Sequence, residues 1–172
     1  MTAETVWEGR FIRMMKDGKW EYAARSRGIG AAVILAITPA DEVILVEQYR
    51  VPLGRNCLEL PAGLVGDEQA GEDIAPAAIR ELEEETGYRA GRVELLGAFH
   101  SSPGMVSEGF TFVRAHDLVK VGEGGGDADE NIIVHRVPRR EIAAFVTRKR
   151  AEGVAIDVKL MLLLADTLAP SA

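Results

Sequence analysis

Apolar and polar positions along the 172-residue chain predict a strand-rich fold that ends in helices. Alternating or continuous apolar segments, typical of strands, occupy residues 31–38, 43–50, 93–99, 109–115 and 132–137. Segments with helical character follow at 139–151 and 156–168. This order, with strands first, one helix inside the chain and helices last, indicates an α/β (α+β) fold built in layers.

The first part of the chain predicts a separate β element. Alternation on both sides of Asp17-Gly18 is typical of a tight hairpin between residues 7 and 25. Four of the ten aromatic residues fall in this segment, namely Trp7, Phe11, Trp20 and Tyr22. A two-stranded hairpin is marginal alone, so its aromatic face must pack on its own domain or on a second subunit. We therefore predict an N-terminal β arm at 1–28 and a main domain at 29–172.

A short amphipathic helix is predicted between Pro76 and Gly87. Proline suits the first helical position, and glycine can end a helix in the left-handed conformation. The residues between them are mostly good helix formers. The residues expected to face a core are Ala75, Ala78, Ile79 and Leu82.

Three glutamates on the other side of this helix, Glu81, Glu84 and Glu85, are candidate metal ligands. Like charges three and four residues apart cost roughly 0.2–0.5 kcal/mol per pair. A hard cation such as Mg²⁺ or Mn²⁺ reverses the sign of that term, because it binds clustered carboxylate oxygens. The alternative is a solvated acidic face on which Arg80 pairs with Glu84, and Arg89 with Glu85.

The string around these acids has a more specific pattern. Its fixed positions are Gly66, Glu72, Arg80, Glu81, Leu82, Glu84, Glu85, Gly87 and Tyr88. At each of them the string resembles the Nudix box, G-x5-E-x7-R-E-U-x-E-E-x-G-U, in which U is a bulky apolar residue. The resemblance implies a Nudix-type α/β/α sandwich around a mixed sheet. It also implies hydrolysis of a diphosphate linkage with Mg²⁺ or Mn²⁺ as cofactor.

Roles for individual residues follow from the same resemblance. The implied metal ligands are Glu81, Glu84, Glu85 and the backbone carbonyl of Ala62. Arg80 would buttress the glutamates as part of the catalytic set, together with Glu81, and Glu72 would support them from outside. Relatives commonly use the glycine of a Glu-Leu-Pro-Ala-Gly run as the first box residue. Gly63 is therefore expected to have the usual spatial role, and Gly66 to match by count alone.

Two segments outside the box resemble the ADP-ribose pyrophosphatase branch of the family. They are Glu47-Gln48-Tyr49-Arg50, which the Glu-Leu-Pro-Ala-Gly run follows, and Ser102-Pro103-Gly104. The resemblance implies cleavage of ADP-ribose to AMP and ribose 5-phosphate, with Glu108 orienting or deprotonating water. This loop lacks the aromatic residue and the first acid that relatives often have. The implied substrate-binding residues are Arg50, Trp20, Tyr22, Glu59, Pro103 and Gly104.

Each of these interpretations has an alternative. Glu108 is otherwise an exposed loop acid, Arg50 a surface charge at a strand end, and the arm aromatics core residues. Glu130, in a glycine-rich acidic loop, either belongs to a solvated turn or approaches the metals. At the level of function, the substrate is alternatively another nucleoside diphosphate sugar such as GDP-mannose. The third hypothesis is a non-catalytic Nudix-like ligand sensor.

Composition limits the kinds of partner that the protein is expected to bind. A net charge of −7 argues against nucleic-acid binding, and an acidic protein that acts on phosphates needs a cation between like charges. The lone Cys57 excludes an internal disulfide and is expected to be a small buried residue. The longest apolar run, residues 29–37, is too short to cross a bilayer, and no leader-like pattern precedes it. We therefore expect a cytoplasmic protein without a membrane partner. By analogy with the family, the arm would exchange between subunits of a homodimer.

Overall fold

The computed structural model describes residues 3–26, 29–66, 71–126 and 130–164. Its strands, in chain order, are β1 Glu4–Glu8, β2 Ile12–Asp17, β3 Trp20–Arg25, β4 Gly30–Ala36, β5 Glu42–Arg50, β6 Arg55–Glu59, β7 Ala62–Val65, β8 Tyr88–Arg89, β9 Arg92–His100, β10 Gly109–His116, β11 Val119–Lys120, β12 Ile133–Pro138 and β13 Ala155–Ile156. Its helices are α1 Ile74–Thr86 and α2 Ile142–Ala151, with 3-10 turns at Val51–Leu53, Arg139–Glu141 and Val158–Leu164.

The main domain is an α/β/α sandwich with a mixed sheet layer, as predicted. One four-stranded sheet has the order β7-β4-β10-β9, in which β4 and β10 are parallel, and the other has the order β12-β5-β6-β13. Successive residues of a strand point to opposite faces. On β4, Ile34 accordingly joins the buried cluster that includes Leu82 of α1. Its neighbours Val33 and Leu35 join the cluster that includes Ile142 of α2.

Helix α1 begins two residues earlier than predicted. Asp73 is its N-cap and Ile74 its first residue, so Pro76 is the third residue rather than the first. The first four amides of a helix have no partner inside it, and a proline at the third position therefore breaks no helical hydrogen bond. The C-terminus agrees with the prediction, because Gly87 has a φ of 70° and donates its N–H to the carbonyl of Glu83 at 2.8 Å.

The predicted helix at 156–168 is wrong in its described part. Strand β13 pairs in parallel with Cys57 and Leu58 of β6, and a 3-10 turn follows. Asp157 explains the break, because its carboxylate accepts the N–H of Lys159 at 2.6 Å while its own N–H donates to the carbonyl of Leu58 at 3.0 Å. Such side-chain bonds compete with helix formation. Residues 165–168 lie outside the described ranges.

A buried polar cluster joins four elements of the domain. The carboxylate of Glu47, whose side chain is 5% exposed, is 3.0 Å from Asn56 Nδ2 on β6 and 2.9 Å from His135 Nε2 on β12. Lys149 Nζ on α2 lies 3.0 Å from the same carboxylate. Glu47 is therefore a structural residue, which gives part of the Glu47–Arg50 motif a role in tying helix α2 to strands β5, β6 and β12 of one sheet.

The N-terminal arm has one strand more than predicted. The predicted hairpin corresponds to β2 and β3, in which Asp17 pairs with Trp20, and β1 adds a third antiparallel strand. Strand β1 is short and its register shifts between Thr5 and Trp7, so it gave a weak alternation signal. Of the two possibilities for the arm aromatics, burial within the chain's own domain does not hold for three of them. The exposed ones are Trp7 (55%), Phe11 (65%) and Trp20 (58%).

The remaining general expectations can be compared directly with the structure. Cys57 is buried, and burial and the neighbouring carboxylates raise the pKa of its thiol to about 12, so it is a packing residue. Within the described ranges, no helix has the length and apolar character that a membrane span requires.

Candidate active site

The three candidate glutamates of α1 differ sharply in exposure. Glu84 is 52% exposed and Glu81 15%, whereas Glu85 is 5% exposed. The prediction that all three share a solvent-facing side is therefore wrong for Glu85. Leu82 lies three residues before Glu85 on the buried side of the helix, and the backbone N–H of Ala62 donates to Glu85 Oε2 at 3.0 Å.

Burial strongly perturbs Glu85. Desolvation is the main cause that raises the pKa of its carboxyl to about 8, with smaller contributions from the negative charges of Glu81 and Glu130, while the Ala62 N–H and the charge of Arg50 act in the opposite direction. A buried acid close to two other acids is disfavoured in its ionised form. A divalent cation among these carboxylates would remove that penalty, which makes this cluster the candidate metal site.

The acidic loop is docked on the end of α1 rather than simply solvated. The N–H of Gly125 donates to the carbonyl of Glu85 at 2.8 Å, and the N–H of Gly126 donates to that of Glu84 at 3.0 Å. A side chain on Gly126 would collide with the carboxylate of Glu130. The loop thus brings Glu130 to the helix acids, as one of the two interpretations expected.

Arg80 lies inside the acidic network. Its guanidinium is 3.0 Å from Glu81, 3.2 Å from Glu84 and 3.4 Å from Glu72. The expected pair between Arg80 and Glu84 is present, but Arg89 pairs with Glu83 at 2.6 Å rather than with Glu85. Because Glu85 points into the protein, it is out of reach of a surface arginine.

Both candidate glycines have a physical role. A Cβ on Gly63 would fall on the carboxyl group of Glu81, so this position must stay small for Glu81 to hold its place. Gly66 has a φ of 87° and its N–H donates to Glu72 at 3.3 Å. The backbone at Gly66 thus favours glycine and contacts another fixed residue of the box, whereas Gly63, expected to have the usual spatial role, lies directly against Glu81.

Two of the predicted substrate-binding residues bind each other. Arg50 Nε and Nη2 lie 2.6 and 2.8 Å from the two oxygens of Glu59, which is buried. This bidentate pair fixes the plane of the guanidinium. Arg50 is also close enough for its charge to lower the pKa of Glu85, so it borders the acidic cluster rather than being a remote surface charge.

Another group of predicted residues lines one cavity. A space of about 690 Å³ lies between the tip of the arm and the loop that contains Ser102-Pro103-Gly104. Its lining includes Trp20 and Tyr22 from β3 with Pro103 and Gly104 from the loop. Glu108 lies at the end of this loop, and its carboxylate is 2.7 Å from Nε of Arg25. The sequence gave no signal for Arg25, since its partner is 83 residues away.

The donors of the acidic cluster fit a hard divalent cation. The carboxylates of Glu81, Glu84, Glu85 and Glu130 and the carbonyl of Ala62 offer only oxygen, which Mg²⁺ and Mn²⁺ prefer. In the parts of the chain that the structure describes, no three acidic, histidine or cysteine side chains surround one point closely enough to hold an ion. Arg80 forms ion pairs with two of these acids, Glu81 and Glu84. The raised pKa of Glu85 is the observation that favours a cation here.

Comparison with known proteins identifies the family. A model of the NUDIX domain matches residues 27–157. The chain belongs to the Nudix family. This confirms the resemblance drawn from the Nudix box. The match covers both helices and the strands from β4 to β13.

Several curated proteins are similar to this Nudix chain. An ADP-ribose pyrophosphatase of Bacillus subtilis is 44% identical over 137 residues, which is 76% of this chain and 72% of the relative. A methanol dehydrogenase activator of Bacillus methanolicus is 34% identical over 154 residues, 86% of this chain and 82% of the relative. A GDP-mannose pyrophosphatase of Cronobacter sakazakii is 36% identical over 146 residues, 80% and 72% of the two chains.

The Nudix fold itself is confirmed by a solved structure. The crystal structure of an ADP compounds hydrolase superposes with a TM-score of 0.70, covering 98% of this chain and 92% of the other. At 24% identity this likeness concerns the fold alone.

Proposed function

We propose that this Nudix protein hydrolyses the diphosphate linkage of ADP-ribose to AMP and ribose 5-phosphate, with Mg²⁺ or Mn²⁺. The observation that carries the proposal is Glu85, a buried acid that lies beside Glu81 and Glu130 and has a raised pKa. The ADP-ribose pyrophosphatase of Bacillus subtilis, at 44% identity, supports this substrate.

Different residues of the site would have different roles in this reaction. When bound, a divalent cation supplies Lewis-acid stabilisation for the diphosphate oxygens. Glu81, Glu84 and Glu85 would hold that cation, and Arg80 would keep Glu81 and Glu84 in place. Glu59 would orient Arg50, whose remaining nitrogen, Nη1, is left to donate to a phosphate oxygen. Positioning and charge stabilisation are what phosphoryl chemistry requires of a protein.

Two carboxylates, Glu130 and Glu108, are candidates for activating the water. Water attacks phosphorus, the bond to the bridging oxygen breaks, and the attacking water gives up a proton to a carboxylate. The charge of Glu130 acts on Glu85, one of the proposed metal ligands, and Glu108, the residue predicted for this role, lies at the end of the 102–108 loop beside Arg25. We propose Glu130 as proton acceptor, with Glu108, predicted from the sequence, as the second candidate.

We propose that the cavity between the arm and the 102–108 loop binds the adenine base. Trp20 and Tyr22 offer ring faces on one side, and Pro103 and Gly104 form the other. The cavity is mostly apolar, and a flat base gains from burial against aromatic rings.

A substrate panel tests the proposed function. With Mg²⁺, we expect kcat/KM for ADP-ribose to exceed that for GDP-mannose by at least about tenfold, which corresponds to about 1.4 kcal/mol. Initial rates are measured for both compounds, with chelator in place of metal as the control. A preference for GDP-mannose, which the Cronobacter sakazakii relative makes the second candidate, would contradict the adenine assignment. Tight binding of ADP-ribose without turnover would instead support a ligand sensor.

We also propose that the arm pairs two copies of the chain in a homodimer. The arm exposes five large apolar side chains within its first two strands and the turn between them, and exposed apolar surface of this kind is typical of association sites. They are Val6, Trp7, Phe11, Ile12 and Met14. In sedimentation velocity we expect the full chain to be a dimer and the Phe11→Glu variant, which alters a 65% exposed residue, to be monomeric. A wild-type chain that sediments as a monomer at all concentrations would refute the proposal.

A further inference from the structure

A second cavity lies at the opposite end of strand β10 from the 102–108 loop. It has a volume of about 310 Å³ and is lined by the segment that follows β4 and by the end of β10. These two strands are parallel, so their C-terminal ends meet at the same edge of the sheet. Ala62, which binds Glu85, pairs with Val33 of β4, and Thr38 of the cavity lies five residues further along. At about 3.3 Å per residue, the cavity is roughly 17 Å from the backbone that binds Glu85.

Arg114 of β10 brings an unpaired positive charge to this cavity. Its Nε is buried and has no hydrogen-bond partner, and no ion pair joins its side chain to the part of the chain that the structure describes. Arg114 lies two residues after Phe112, so both side chains point to the face that packs towards α2. Packing thus holds the guanidinium in place and partly removes it from water. A cation prepared in this way loses little freedom when an anion binds, and its hydrogen bonds are stronger than in water.

The acids around Arg114 pair with other groups. Glu94 is its register partner on β9, yet the Glu94 carboxylate lies 3.0 Å from Nε2 of His116. Asp117, which also lines the cavity, is 71% exposed and lies 3.5 Å from Nε of Arg92. The guanidinium of Arg114 therefore keeps its capacity to bind an anion that enters the cavity.

Thr38 supplies a second donor to the same cavity. The residue is 8% exposed, and its Oγ1 accepts the N–H of Glu42 at 3.3 Å, which leaves the hydroxyl hydrogen available to donate. Arg114 can bind an oxyanion through two nitrogens, as Arg50 binds Glu59. A carboxylate uses both of its oxygens in such a contact, whereas a phosphate group has a third oxygen that can accept from Thr38.

We propose that this cavity is a second anion site, in which Arg114 and Thr38 bind the phosphate group of a small phosphate monoester. Its volume of about 310 Å³ is at the lower end of the range for small-molecule sites, so it suits a compact monoester rather than a dinucleotide. The site is separate from the acidic cluster, and the proposal holds whichever diphosphate compound the substrate panel selects.

A titration of the full chain with inorganic phosphate, in chelator and at constant ionic strength, tests the proposal. Backbone amide signals in ¹H–¹⁵N NMR spectra locate the bound anion, and glycerol 3-phosphate and acetate are the monoester and carboxylate probes. Arg114→Met removes the charged donors and keeps much of the length, and Arg114→Lys keeps the charge without the planar fork. Arg92→Met is the matched control, since Arg92 is an exposed arginine on the neighbouring strand that pairs with Asp117.

We expect phosphate and glycerol 3-phosphate to shift the amide signals of residues 38 and 114–118. Arg114→Met should weaken this binding at least about tenfold, as loss of a charged hydrogen bond predicts, and Arg114→Lys about threefold. Arg92→Met should bind phosphate within about twofold of the wild type. Glu94→Gln, which removes the acid opposite Arg114, should bind phosphate about threefold more tightly. Without phosphate, Arg114→Met should melt no lower than the wild type, because it removes a buried donor that has no acceptor.

Three results would overturn the proposal. Phosphate that leaves the signals of residues 38 and 114–118 unchanged would show that the anion binds elsewhere, at Arg50 for example, or not at all. Unchanged phosphate affinity in both Arg114 variants would show that Arg114 does not hold the anion. Acetate that binds as tightly as phosphate would contradict the assignment of a phosphate group. Because no step uses metal or a diphosphate substrate, failure of this test is distinguishable from failure of the proposed function.

Discussion

Replacing Glu85 with glutamine should lower kcat/KM by at least about a hundredfold at saturating Mg²⁺, a loss of about 2.7 kcal/mol. The amide keeps the size of the side chain and an oxygen that can accept the N–H of Ala62, so the fold should persist. What is lost is the negative charge that a cation held by Glu81, Glu84 and Glu85 needs. Initial rates over a series of Mg²⁺ concentrations measure the effect.

The matched control is Glu83→Gln on the same helix. Glu83 pairs with the exposed Arg89, so its loss should change the rate by less than about twofold. Equal losses in both variants would point to a general effect of helix charge. An unchanged rate in Glu85→Gln would remove Glu85 from the metal site and with it the main support for the enzyme mechanism.

Glu85→Gln should also change how the stability of the metal-free protein depends on pH. The pKa of Glu85 is raised from 4.5 to about 8, so the folded protein retains this proton while the unfolded chain releases it. The contribution of Glu85 to the stability of the metal-free protein should therefore be complete below pH 4.5. It should decrease as the pH rises towards 8. Glu85→Gln should lack that decrease in thermal melts, and Mg²⁺ should reduce it in the wild type.

Replacing Glu47 with glutamine should destabilise the fold by about 1–3 kcal/mol, because it removes the buried carboxylate 3.0 Å from Lys149 and leaves that lysine only Glu152, at 3.2 Å. Lys149 is 16% exposed and Glu47 5%, so solvent can do little to compensate. Urea unfolding at neutral pH measures the difference. The exposed pair of Asp41 and Arg139 is the control, and Asp41→Asn should cost less than about 1 kcal/mol.

A double variant separates charge from packing in this cluster. Glu47→Gln combined with Lys149→Met removes both charges and should be more stable than the sum of the single losses predicts. Additive losses would mean that Glu47 stabilises the fold through Asn56 and His135 rather than through Lys149.

The pH dependence of the Glu47 contribution has a defined sign. Burial alone would raise the pKa of Glu47, but hydrogen bonds from Asn56, Lys149 and His135 outweigh it and lower the pKa below 4.5. Its contribution should therefore be complete above pH 4.5 and be lost as the pH falls through the lower folded value. The hydrogen bond from Glu47 raises the pKa of Lys149 above 10.5, so the lysine contribution should be lost only as the pH rises beyond that value.

The sequence predicted those parts of the site that depend on local spacing. Residues three and four apart on a helix share a side whatever surrounds them, so the acids of α1 and the end of the helix at Gly87 were accessible to pattern analysis. The Nudix box added the family, and the domain match confirms it. The roles of the individual site residues remain predictions.

Contacts between distant segments could not be predicted in this way. The buried carboxylate of Glu85 accepts the N–H of Ala62, 23 residues away in the chain. The carboxylate of Glu108 pairs with Arg25, 83 residues away. Neither pairing leaves a periodic signal in either segment. The C-terminal helix failed for a local reason, since the hydrogen bonds of Asp157 compete with a pattern that apolar periodicity alone favours.

The N–H groups of Gly125 and Gly126 donate to two of the backbone carbonyls at the C-terminal end of α1, those of Glu85 and Glu84. Two acids that are 45 positions apart in the chain, Glu85 and Glu130, are thereby mounted on the same helix terminus. The contact between the loop and the helix is made by backbone groups alone. A ligand that binds the carboxylates of both Glu85 and Glu130 therefore depends on the backbone of this glycine loop for their relative placement.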